Sequence, residues 1–223
     1  MSIVTLGWAW LRSPAQWHGH GDVPDQILAH LWYSGISLLL AAVIAIPLGV
    51  MIGHTGRGAF LVASAANAWR AIPTLGLVVL LAITVGFTAA WLVPLVGLGI
   101  PPILVNTYEG MAGVDADIKD AARGMGMTRW QQVWSVEVPT ALPLIILGLR
   151  TGAIFVVATA TIVAYIGFGG LGRFIFDGLN TNNYGEVAGG AVLVVLLALA
   201  TQAAFAGLRR LVVPAGLRQQ TRS

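Results

Sequence analysis

This sequence predicts an all-α integral membrane protein of about five spans, and three observations carry the prediction. Composition comes first: 57% of the 223 residues are hydrophobic and 9% are charged, where soluble domains carry roughly 25% charge. Second, several apolar runs exceed the roughly 20 residues that cross a hydrocarbon core as a helix. Third, a polar island rich in helix punctuation, residues 117–143, is set between such runs. A mean hydropathy of +0.82 points the same way. The absence of cysteine excludes a disulfide framework and a thiolate metal site. The formal charge is +3, but the basic residues form neither a basic domain nor an aromatic-interleaved patch, so no nucleic-acid partner is expected.

Residues 1–26 read as an N-terminal interfacial segment, because Trp8, Trp10 and Trp17 suit the headgroup layer and Arg12 follows the first apolar run, unlike in a signal peptide. His18 and His20 stand alone in a glycine-rich stretch and predict a solvated loop rather than a metal site. Residues 27–53 are the first span, kinked at Pro47, with His30 expected at the headgroup level. A short turn with Arg57 leads to 59–86, one broken helix holding Asn67, Arg70 and Pro73. Broken helices survive in a bilayer only where protein or water satisfies the freed backbone, so residues 67–74 should face the bundle. Two readings stand there: a substrate pathway, or a structural kink from which Arg70 reaches the interface. Residues 87–106 return across the membrane with Trp91 near the start and Pro101 and Pro102 inside.

The island reads as two short helices with a corner between them. Asp115, Asp117 and Asp120 place acid in a first turn, where the helix dipole favours it, and Ile118, Ala121, Ala122 and Met125 form an apolar stripe. Gly126 should end that helix. Thr128 followed by Gln131 is a capping box, predicting a second helix that presents Trp130, Val133 and Trp134 and stops at Pro139. Pro143 then falls in the first turn of a fourth span, 140–166. Arg150 lies about 15 Å into that span at 1.5 Å per residue. It should face an aqueous cavity, a neighbouring subunit or carbonyls, in a packing role or against substrate.

Gly167 to Gly172, with Gly169 and Gly170 between, satisfies GxGxxG, but the preceding apolar run is far too long for the strand that a dinucleotide site requires. Such glycines suit a gate-side turn. Residues 173–185 are expected as an external loop that a partner could grip, and 186–207 as the last span, followed by Arg209, Arg210, Arg218 and Arg222. Five crossings with the N-terminus outside put Arg57, Lys119, Arg123, Arg129 and the tail in the cytoplasm, as the positive-inside rule expects. Arg12 and Arg173 are left outside.

Asp120, Ala121, Ala122, Gly126, Val136 and Pro139 keep the spacing of the EAA loop of ABC importer permeases, with Asp in place of Glu and Val for Ile and Leu. The runs Ala71 to Leu75, Gly148 to Gly152, Gly167 to Gly172 and Gly178 to Asn180 with Tyr184 resemble the osmoprotectant permeases for glycine betaine, carnitine, choline and proline betaine. The resemblance covers most of the chain from about residue 27 and implies a type I ABC importer permease fold. It implies a cytoplasmic coupling-helix loop at 109–139 within a transmembrane permease domain, 27–212, and a basic cytoplasmic tail, 213–223. It further implies a bacterial inner-membrane location and, as partners, two ABC ATPase subunits, a second permease copy or paralogue, and a separate extracytoplasmic substrate-binding protein. A permease for methionine or another amino acid is the alternative. The chain lacks a phosphate loop and has one lysine, Lys119, so ATP and magnesium are expected on the partner ATPase, with no cofactor here. Asp and Glu are expected outside the helices or at their ends, which leaves no paired acids for an intramembrane enzyme and none at mid-membrane for an ion-driven carrier.

Overall fold

The computed structural model describes residues 2–19 and 21–212, apart from the side chains of Ala59, Leu61, Val62, Ala63 and Asn67. His20, Arg218 and Arg222 therefore lie outside the described residues, as does the side chain of Asn67. Among the described residues every regular element is helical. The order is α1 Ile3–Arg12, α2 Val23–Thr55, α3 Ala59–Arg70, α4 Thr74–Thr84, α5 Phe87–Ala112, α6 Ala116–Gly124, α7 Arg129–Gln132, α8 Val138–Val163, α9 Gly172–Asn180 and α10 Tyr184–Val212. Four segments are long and apolar enough to cross a membrane: Val23–Thr55, Phe87–Ala112, Arg129–Ile166 and Tyr184–Val212. The pair Ser64–Arg70 and Thr74–Thr84, broken where Pro73 caps α4, makes five if it is one span.

The chain divides into two compact units. One comprises Met1–Leu38, Ile72–Val96 and Ala153–Thr201. Its core joins Trp10, Val23, Leu171, Phe174 and Leu193, with the Trp10 and Phe174 rings edge to face at 5.1 Å. Trp10 thus turns inward onto Gly189 of α10, while Trp8 and Trp17 stay exposed. A second cluster sets Leu95, Val156, Ala160 and Val163 against Tyr33, Trp91 and Phe168. His30, expected near an end of the first span, is fully buried within this unit. Its Nε2 lies 2.9 Å from the Val157 carbonyl and its Nδ1 3.3 Å from the Leu171 amide, which fixes a neutral ring with the proton on Nε2. Residues 173–180, expected as loop, belong to α9, whose Phe174 and Gly178 face inward and whose Arg173 and Asp177 pair at 3.0 Å one turn apart.

The other unit comprises Leu39–Ala71, Gly97–Gly152 and Gln202–Ser223. Val50, Met111, Val133, Ala141 and Ile145 form its core. Glycines set its helix spacing: Gly49 and Gly53 of α2 lie on Thr107 and Met111 of α5, and Gly110, Gly148 and Gly152 bring α5 and α8 together. Small residues of this kind let membrane helices gain packing contacts that the apolar solvent does not otherwise drive.

Two expectations about prolines are corrected here. Pro139 does not stop a helix, because a π turn, Val133–Glu137, joins α7 to α8, and the Val138 amide bonds to Val133 rather than to Trp134. The wider i→i−5 turn offsets the register just before a residue that has no N–H to give and whose ring crowds an α-ladder. Pro143 in consequence lies inside α8 instead of in a first turn.

Candidate functional site

The elbow is built from local rules. The Asp115 carboxylate caps α6 by accepting from the Asp117 amide at 3.0 Å. The Lys119 ammonium reaches back to the Met111 carbonyl at 3.2 Å, where a cation meets the C-terminal end of α5. Beyond α6, Gly126 takes a φ of +79° and donates to the Arg123 carbonyl. Only the left-handed region closes this corner, and glycine enters it without strain. The capping box is complete: the Thr128 amide donates to Gln131 Oε1 at 2.8 Å and the Gln131 amide to Thr128 Oγ1 at 3.3 Å.

The elbow's apolar side chains mostly point away from the chain. Ala122 and Val133 are buried, so Val133 belongs to the core and is not presented. Ala121 is exposed, as are Ile118, Met125 at 71%, Trp130 at 72% and Trp134 at 59%. Asp120 is exposed and pairs with Arg123 of the same helix at 3.1 Å. Pro139 is exposed and Val136 half-buried. Beside them a cavity of about 550 Å³ opens between the end of α2 and α7, walled by Pro47, Val50, His54, Arg129, Trp130 and Trp134.

One group at the elbow escaped sequence reasoning. Glu137 was expected outside the helices or at an end, yet it lies within the continuous segment Arg129–Ile166, fully buried. Its carboxylate meets His54 Nδ1 at 3.0 and 3.1 Å and accepts from Gln132 Nε2 at 2.9 Å. The available signal was the acid itself: a carboxylate in the apolar run around Val136 and Val138 needs a partner.

The glycine loop is tied down by the first span. Gly167 and Gly170 have φ of +90° and +109°. The Gly170 amide donates to Gln26 Oε1 at 2.6 Å, and the Leu171 amide to His30. Gly172 sits on the Thr161 carbonyl and Gly169 beside Gln26. Phe168 lies 5.7 Å from Tyr33 and 6.1 Å from Phe87, ring to ring. The loop follows α8 and precedes α9, so the GxGxxG spacing has no strand before it. Pro73 belongs to this unit, and its helix α4 packs on the turn Ala164–Ile166 that leads into the loop. Arg70 ends α3 and Arg150 lies half-buried in α8, both within the other unit; Arg150 forms no ion pair among the described residues.

Residues 45–215 match the family described as binding-protein-dependent transport system inner membrane component. The chain belongs to this family. It is a multi-pass inner-membrane transport component and not an enzyme. Among curated relatives, it is 36% identical over 200 residues to the glycine betaine/carnitine/choline transport system permease protein OpuCB of Bacillus subtilis, covering 84% of this chain and 87% of the relative. To the carnitine transport permease protein OpuCB of Listeria monocytogenes it is 34% identical, covering 92% and 94%. To the osmoprotectant import permease protein OsmW of Salmonella typhimurium it is 32% identical, covering 89% and 95%. Among solved structures, an inward-facing conformation of the MetNI methionine ABC transporter matches with a TM-score of 0.74 at 25% identity, over 91% of this chain and 99% of the other. The type I permease architecture is therefore the fold of this family member.

Proposed function

We propose that this chain is the permease subunit of an ATP-driven importer for osmoprotectants: glycine betaine, carnitine, choline and proline betaine. The observation that carries the substrate class is the identity of 32–36% to curated permeases named for glycine betaine, carnitine and choline, for carnitine, or for osmoprotectants, over 84% or more of this chain. In this reading residues 27–212 are the permease domain, the N-terminus lies outside, and the basic tail 213–223 is cytoplasmic. The elbow at 109–139, with Asp120, Ala121, Ala122, Gly126, Val136 and Pro139, docks on an ATPase subunit that holds ATP and magnesium. Its exposed Ile118, Met125, Trp130 and Trp134 support this, since such a surface outside the hydrocarbon needs a protein cover. Two ATPase subunits, a second permease copy or paralogue, and an extracytoplasmic binding protein complete the assembly. ATP-driven closure then moves the elbows, and coupling requires only that ATP favour one arrangement by a few kcal/mol.

Asn67, Arg70, Pro73, Arg150 and the glycines 167, 169, 170 and 172 are the proposed pathway or gate. The bonds from the Gly170 and Leu171 amides to Gln26 and His30 tie this loop to the first span, which supports a gate coupled to α2. A methionine or other amino-acid importer is the second reading, favoured by the likeness to the methionine transporter. Labelled glycine betaine uptake at high osmolarity, in cells with and without this chain, separates the two. Uptake that depends on the chain supports the proposal; unchanged uptake with methionine uptake lost refutes it.

A further inference from the structure

We infer that Glu137 is a positioning residue that fastens the elbow to the first span through His54, so that displacement of the elbow is delivered to α2. This rests on the proposed docking of an ATPase at the elbow. Glu137 closes the π turn, Gln132 ends α7, and His54 is the penultimate residue of α2. Two chain segments, the end of α2 and the continuous segment Arg129–Ile166, therefore meet at one carboxylate. The π turn makes the convergence possible: five residues on, an α-helix has rotated about 140° off the starting face, whereas the i→i−5 turn returns Gln132 and Glu137 to one side.

The surroundings make the link hold. Glu137 has no exposed surface and lies within the unit whose core is Val50, Met111, Val133, Ala141 and Ile145, while His54 is 24% exposed at the cavity wall. A buried carboxylate stripped of its partners is strongly unfavourable, so separation of the three groups is resisted in every conformation that keeps water out. One residue before His54, Gly53 rests on Met111 and the Tyr108 carbonyl, leaving α2 no side chain's depth of play against α5. Trp130 and Trp134 face out toward a partner while Gln132 and Glu137 face in. A push received on the tryptophans thus reaches α2 through hydrogen bonds of 2.9 to 3.1 Å. The elbow motif positions do not include Glu137, and its partner lies 83 residues away.

The test uses the complete transporter, with its ATPase and binding protein, in proteoliposomes, measuring labelled glycine betaine uptake and ATP hydrolysis together. Glu137→Gln and His54→Ala are expected to lower the uptake-to-hydrolysis ratio at least tenfold while the ATPase stays bound. The double variant H54A/E137Q removes both ends of the same link and should be no worse than the weaker single variant. Single variants within twofold of wild type, or losses that multiply in the double variant, overturn the inference. If Glu137→Gln fails to insert, His54→Ala at the partly exposed edge carries the same decision. Wild-type chain that binds no ATPase overturns both this link and the docking beneath it. Wild type that binds ATPase yet takes up no glycine betaine overturns the substrate alone, and the link is then read from hydrolysis stimulated by the binding protein in the same variants.

Discussion

Gly126 offers the sharpest test of the elbow. Its φ is +79°, and a Cβ added there meets nothing within 4 Å. The cost of substitution is therefore conformational and not steric, about 1–2 kcal/mol for an L-residue in the left-handed region. Asn tolerates that region best, Ala less and a β-branched residue least. A penalty of that size leaves a chain of this length inserted and folded, but shifts the corner's local equilibrium by a factor of about 5–30. We expect Gly126→Asn, →Ala and →Val to reach the membrane in equal amounts, with ATPase co-purification and uptake falling in that order. The assay is quantitative pull-down of the ATPase with tagged chain, alongside transport. Val performing as well as Asn would refute the reasoning, because the left-handed φ would then carry no cost at this corner.

Other consequences follow from single contacts. Thr128→Ala removes one half of the capping box, and a lost cap of this kind costs about 1 kcal/mol; transport should drop severalfold, with Thr128→Ser retaining it. Gly172→Ala forces a methyl onto the Thr161 carbonyl, so detergent-solubilised protein should melt several degrees lower, whereas Gly167→Ala, with open space but a φ of +90°, should cost less. His30→Ala leaves the Leu171 amide without that partner, at about 1–3 kcal/mol for a buried group left unsatisfied; an unchanged melting temperature would contradict the anchoring role. Asp120→Lys reverses a charge on an exposed face, and should abolish ATPase co-purification while leaving the melting temperature within about a degree, as surface substitutions do.

Features governed by neighbours a few residues apart were legible in the sequence. The capping box spans three residues, the Gly126 corner requires one unusual φ, and the break at Pro73 follows from a missing donor; each appears where the local pattern puts it. Pro139 misled because the rule that proline ends a helix assumes an α-ladder, and the preceding π turn changes the ladder. The burial of His30 and Glu137 was not legible for a different reason. The partners of His30 are 127 and 141 residues away, and His54, which meets Glu137, is 83 away, with Gln132 alone near it in sequence. Residues 173–180 were readable as a helix from Arg173 and Asp177 at i,i+4 with Phe174 and Gly178 on one face, a weaker signal than the polar run that follows.

By itself the sequence determined that the chain lives in a bilayer, that its regular structure is helical, and where its polar elbow turns. Those properties depend on hydropathy and on backbone geometry summed over short windows. Tertiary structure alone decided which polar side chains face inward, which partner satisfies each, and which elbow residues remain uncovered. Burial in a bundle is set by helices meeting from distant parts of the chain, through glycines that let backbones touch, and no local pattern encodes which face is met.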